Sequence, residues 1–103
     1  MLRGGRIVGF DVSGHTGLAS AGQDILCAAI SSAAYLTANT ITEVLEVRAD
    51  VSVADGSMKL LVPAGEEDKC RVTLEGLRIH LEQLSEQYPK GLRIININTR
   101  EGA

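Results

Sequence analysis

The sequence contains no tryptophan, and one phenylalanine and two tyrosines are its only aromatic residues. The core must therefore be built from Val, Ile, Leu and Ala. Cysteine is also scarce. Cys27 and Cys70 are the only two, and they stand far apart in the chain. Such a pair reads as free thiols rather than a disulfide framework. There is no excess of basic charge: ten Lys and Arg face thirteen Asp and Glu, for a net charge of −3. No basic cluster stands out, so direct nucleic-acid binding is not expected, because neutralising phosphates needs a basic face. Mild negative charge does suit a basic protein as partner. Met1 to Gly5 carries charge but is not followed by an apolar run of signal length. The longest apolar stretch is interrupted by Asn39, Thr40 and Glu43, so no membrane span is expected.

What is present is ordinary for a globular protein. Of 103 residues, 45% are hydrophobic and 22% charged. That length reads as one domain, residues 1–103. Its core would be modest, and oligomerisation would help it.

The pattern along the chain gives six elements. Residues 6–13, RIVGFDVS, alternate, with Val8, Phe10 and Val12 on one side. That is a half-buried strand. Gly14 to Gly22 reads as a loop of glycines and small residues. A helix is expected from about Asp24, an N-cap residue type, to about Val44 or Leu45. Residues 49–54 and 58–62 read as a hairpin joined at Asp55-Gly56. From Glu66 to Tyr88 the helical repeat is clear: Cys70, Leu74, Leu77, Leu81, Leu84 and Tyr88, a stripe that Val72 and Ile79 are expected to widen. Glu66, Glu67 and Asp68 suit its positive end, and Pro89 and Gly91 stop it. Residues 92–98, LRIININ, read as a last strand. The order βαββαβ points to an α+β two-layer sandwich of ferredoxin-like type. Two helices would pack on one face of a mainly antiparallel four-stranded sheet.

Chemical potential is concentrated in one region, from Gly14-His15 through the glycine-bearing loop to Asp24-Ile25-Leu26-Cys27. A thiol is a weak nucleophile until ionised, with a free pKa of about 8.5. Cys27 follows Asp24 closely, so it is expected in the first helical turn. Unpaired N–H groups and the positive dipole end there favour a thiolate. His15, across the loop, could accept the thiol proton. Helix-start N–H groups could serve as an oxyanion hole. Each residue also has an ordinary reading. A cysteine in an alanine-rich helix is commonly a small core residue. Asp24 can be simply a cap, His15 a surface residue, and Ser31 a small packing residue one turn after Cys27. Cys70 falls on the apolar stripe and reads as core, with His80 on its flank. Positions 15, 27, 70 and 80 offer no close ligand pair, so no metal is expected. No cofactor is implied.

The run GHTGLASAGQDILCAAISS resembles the signature of the ribosomal-processing cysteine protease family, Prp. That family shows Gly-His-Ala, a short loop, then Gly-x-Asp-Ile-Val-Cys-Ala-Ala-x-Ser. Gly14 and His15 match its Gly-His; Gly22, Asp24, Ile25 and Cys27 match the helix start; Ala28, Ala29 and Ser31 match the next turn. The resemblance implies a catalytic dyad of Cys27 and His15, supported by Asp24, Ser31, Gly14 and Gly22. It implies a substrate too: the N-terminal extension of a bacterial large-subunit ribosomal protein, cut after paired aromatic residues. It further implies a cytoplasmic homodimer. Thr16 stands where the family usually has Ala, and Ala21 where Tyr is common. Only Met1 to Gly5 precede the strand at 6–13, where family members usually begin with an extra strand and turn, so either the start is misassigned or the sheet lacks an edge strand.

Two other functions fit the same residues. A non-catalytic module of ribosome assembly could hold a ribosomal-protein peptide in this cleft without cutting it. A redox-sensing thiol would need a resolving cysteine, for which Cys70, on a core face, is poorly placed.

Overall fold

Gly4 and Gly5, with φ of 59° and 79°, turn the chain back on itself within its first seven residues. This computed structural model describes residues 1–13, 21–54 and 56–97, with the backbone alone described at 21–24. The first turn joins β1 (Leu2–Arg3) to β2 (Arg6–Ile7) as a short antiparallel hairpin. The extra strand and turn expected to be missing are therefore present in miniature. Five residues suffice because the glycines adopt a backbone conformation other residues resist.

Strand β3 (Gly9–Ser13) follows directly. It pairs antiparallel with β5 (Ser57–Leu61), and β5 pairs antiparallel with β4 (Asp50–Ala54). The order is β3-β5-β4. Side chains alternate across this sheet. Phe10, Leu60 and Val51 form one row and Val12, Met58 and Val53 the next, all on the inner face. Asp11, Lys59 and Ser52 form an exposed row on the outer face.

Helix α1 spans Ala21–Asn39 and continues through a π-helical turn, Thr40–Val44. The hydroxyls of Thr37, Thr40 and Thr42 donate to the carbonyls of Ala33, Leu36 and Ala38, four residues back. The chain leaves this turn through Glu46, a non-glycine residue with φ of 56°. Ile25–Val44 is long and apolar enough to cross a membrane by length and composition. Here Leu26, Ile30, Ala34, Ala38 and Ile41 turn inward and are buried. Helix α2 spans Glu67–Gln87.

Both helices share one core with the sheet. Phe10, Met58 and Leu60 meet Ala34, Ala38 and Ile41 from the first helical segment and Cys70, Leu74 and Leu77 from α2. Val72 and Ile79 do not join it; they are 79% and 50% exposed. At about 100° per residue, positions two and nine beyond Cys70 fall on the opposite side of the helix. The buried stripe is narrower than the repeat suggested.

The α+β class and the layering are as expected, but the fourth strand is not formed among the described residues. Residues 92–97 are irregular. Their backbone groups are engaged elsewhere: Leu92 N–H donates to the Tyr88 carbonyl, the Leu92 carbonyl accepts from Ser85 Oγ, and the Ile97 carbonyl accepts from Leu2 N–H. At the outer edge of β3, the Met1 ammonium donates to the Gly9 carbonyl at 2.9 Å. The N-terminus thus occupies part of the edge on which a fourth strand would pair.

One ion pair clamps the N-terminal hairpin to α2. Arg3 Nη1 lies 3.3 Å from Glu67 Oε2, with side-chain exposures of 9% and 13%. Glu67 Oε1 also accepts from Gly65 N–H. These bonds, with Glu67's own backbone N–H first among them, hold its carboxyl below its ordinary value.

Candidate active site

Strand β3 precedes the candidate site in the chain, and α1 carries the thiol. Strand β3 ends at Ser13. Gly14 and His15 lie outside the described residues, as do the side chains at Asp24 and its neighbours 21–23. Gly22 and Asp24 both fall inside α1, whose first residue is Ala21. Asp24 is therefore not the N-cap. Cys27 sits in the second turn rather than the first, where its own N–H is already committed to the helix ladder. The dipole's effect falls off within the first turn. The positive helix end therefore lies farther from Cys27 than a start at Asp24 would put it.

Cys27 lies at the margin of the core. Its preceding neighbour Leu26 is 3% exposed and Ile30 is 7% exposed, while Ile25 and Ala28 face solvent. Leu26 anchors this part of α1 by packing close against Gly91, where an added Cβ would lie 2.6 Å from Leu26 Cδ2. Cys27 itself is half-buried and free. Cys27 thus borders the core without being sealed inside it. Ser31, one turn on, is also half-buried. Residues four apart lie on the same face of a helix, so the structure brings Cys27 and Ser31 together along one flank of α1.

Cys70 is different. It is free but wholly buried among Leu74, Leu77 and Leu60 of the core. Burial, aided by the Glu66 carboxylate, pushes its thiol pKa up. It is a packing residue, and it is walled off from any disulfide exchange at the surface. His80 is exposed on α2. Among the described residues, no group of three or more His, Cys, Asp or Glu is placed to hold a metal ion.

Beyond Ser31 the same flank opens into a groove that the sequence pattern did not reveal. Ser31, Ala34 and Tyr35 form one wall, and Val12, Met58 and Val53 the floor. The only foretaste in the sequence is the β4 alternation of Val51 and Val53, which says that these side chains share a face but not that the face is uncovered.

Comparison with known proteins places the chain. Residues 1–93 match the family model described as cysteine protease Prp. The chain belongs to this family of cysteine proteases. The ribosomal processing cysteine protease Prp of Bacillus subtilis (strain 168) is 24% identical over 94 residues, covering 85% of this chain and 84% of that protein. Among solved structures, an essential ribosomal processing protease Prp from S. aureus, in complex with a substrate peptide, superposes with a TM-score of 0.80. Its identity is 21%, and the match covers 92% of this chain and 90% of that one. A Streptococcus mutans protein gives a TM-score of 0.82 at 20% identity, over 94% and 92% of the two chains. The S. aureus protease with a covalently linked product peptide gives 0.74 at 23% identity, over 86% of each chain. These structures establish that the fold is shared.

Proposed function

We propose that the protein is an endopeptidase in which Cys27 is the nucleophile and His15 the general base and acid. The substrate of this reading is the N-terminal extension of a bacterial large-subunit ribosomal protein, cut after paired aromatic residues. The observation that carries it is the position of Cys27. A family model of cysteine proteases spans the residues that hold the Gly-His and Cys motifs, and the motif cysteine is the half-exposed one, while Cys70 is sealed in the core.

In the reaction, His15 takes the thiol proton and Cys27 Sγ attacks the scissile carbonyl carbon. The tetrahedral intermediate collapses as the imidazolium protonates the leaving amine. Water, deprotonated by His15, then hydrolyses the thioester and restores the thiol. Asp24, Ser31 and Gly22 support the site from α1, and Gly14 supports it as the residue before His15. Action as a cytoplasmic homodimer, without direct contact to nucleic acid or membrane, belongs to the same proposal.

The test is a peptide spanning the extension junction, with products read by mass spectrometry. Wild type should yield two fragments cut after the aromatic pair. Cys27→Ala and His15→Ala should yield none, with folding intact by circular dichroism. Binding of the peptide without cleavage by wild type would instead support the non-catalytic module.

A further inference from the structure

The reaction above leaves the groove beside Ser31 unused. Its floor is the cross-strand row Val12–Met58–Val53, on the face of the sheet that the helices cover. Helix α1 does not reach over the β4 edge, so Val53 stays 57% exposed although it points inward. The Gly56–Ser57 end of the β4–β5 turn closes the far side. The volume is about 270 Å³, and among the described residues none that line it carries a charge. That is below the range of about 300–1,000 Å³ usual for sites that take a drug-sized ligand. It suits a side chain rather than a whole molecule.

The groove continues the line of the thiol. Cys27, Ser31 and Tyr35 follow at four-residue steps along one flank of α1. At about 1.5 Å of rise per residue, Ser31 stands about 6 Å beyond Cys27 along the axis. An extended peptide advances about 3.3 Å per residue. A peptide with its scissile carbonyl at Cys27 and its chain laid along this flank toward Tyr35 would present a side chain to this groove from within about two residues of the cut.

We infer that the groove receives one large apolar side chain of the bound peptide, and that Val53 sets the size it accepts. The inference rests on the peptidase reading of Cys27. A hydrophobic pocket distinguishes substrates differing by one methylene by roughly 10–200-fold, so the effect is measurable. Because β4 is an edge strand with all five residues exposed, a larger side chain at Val53 can be accommodated without breaking the core.

The experiment measures kcat/KM for peptides carrying Phe, Leu, Ala or Asp at each of the two positions on either side of the scissile bond. Wild type should show a steep preference for Phe or Leu over Ala and Asp at one position. In Val53→Phe, kcat/KM for the Phe peptide should fall about tenfold, while the Ala peptide stays within about twofold. Val51→Phe, in the neighbouring row and outside the groove, should keep the wild-type pattern. Equal loss on all peptides, or an unchanged Phe-to-Ala ratio in Val53→Phe, overturns the assignment. Self-association of wild type that is lost in Val53→Phe, with the ratio unchanged, overturns it in favour of a second copy as occupant. If wild type cuts none of the peptides, the reading of Cys27 fails, and the groove is judged by calorimetric binding of the Phe peptide. Equal affinity for wild type and Val53→Phe then overturns it, and affinity weakened about tenfold in the variant supports it.

Discussion

The carbonyl of Leu60 occupies the place where a side chain on Gly9 would have to sit: a Cβ built there would overlap the Leu60 carbonyl oxygen. Strands β3 and β5 approach this closely at the point where the chain leaves the N-terminal hairpin, next to the Val62 N–H to Val8 carbonyl bond of 2.7 Å. The strand that leads to His15 is thus set by a glycine whose role is space rather than turning.

Gly9→Ala should therefore be strongly destabilising. The obstacle is backbone, which cannot rotate away, so the cost should be at least the ~1–3 kcal/mol of overpacking. With a urea slope of about 1–3 kcal/mol per molar, the unfolding midpoint should drop by roughly 1 M. An unchanged midpoint would show that β3 and β5 can separate freely at this point.

Glu67 ties stability to acid. Its folded pKa lies below the ordinary 4.5, chiefly through its own N–H and that of Gly65, then through Arg3. Its ionised form therefore adds stability above that pH, and the contribution is lost as pH falls through the folded value. Glu67→Gln should be less stable than wild type near neutrality, and the two should converge in acid. Parallel urea midpoints for the two proteins from pH 7 to pH 3 would contradict this.

Glu46 should respond to substitution according to its backbone alone. Its φ of 56° is a conformation that costs a non-glycine residue about 1–2 kcal/mol. Glu46→Gly removes that cost, less the ~0.4–1 kcal/mol lost to a freer unfolded chain, and should raise stability slightly. Glu46→Val should lower stability by about 1 kcal/mol or more, since β-branched residues suit this region least. Thermal unfolding of the two variants should move in opposite directions.

Native thiol counting should find one reactive cysteine. With Cys27 half-buried and Cys70 fully buried, an aromatic disulfide reagent should titrate Cys27 in the folded protein and Cys70 only after denaturation. Cys70→Ser should keep cleavage activity while losing about 1–3 kcal/mol of stability to a buried hydroxyl. Fast modification of Cys70 in the native state would contradict the core described above.

Much of this was legible in residue order. The Asp55-Gly56 hairpin, the Cys70–Leu74–Leu77 stripe and the motif around Cys27 each depend on local spacing, which the chain itself records. Four features were not. That α1 already includes Gly22 was hidden because Gly14, Gly17 and Gly22 give the segment the composition of a loop. The outward turn of Val72 and Ile79 shows that apolar character alone does not place a residue on a stripe; its angle around the helix does. Among the described residues the 92–97 segment forms no strand; the Met1 ammonium sits on the Gly9 carbonyl and the Leu2 N–H on the Ile97 carbonyl, a tertiary arrangement no window of sequence contains. The groove at Val53 is likewise a matter of where α1 lies across the sheet.

Cleavage in the proposed reaction depends on the sulfur of Cys27. Wild type should be treated with iodoacetamide for graded times, and each sample divided between peptide mapping and cleavage assay. The expected result is residual activity equal to the fraction of Cys27 left unmodified, with Cys70 unreacted throughout. Full cleavage activity in protein whose Cys27 is completely alkylated would contradict the account.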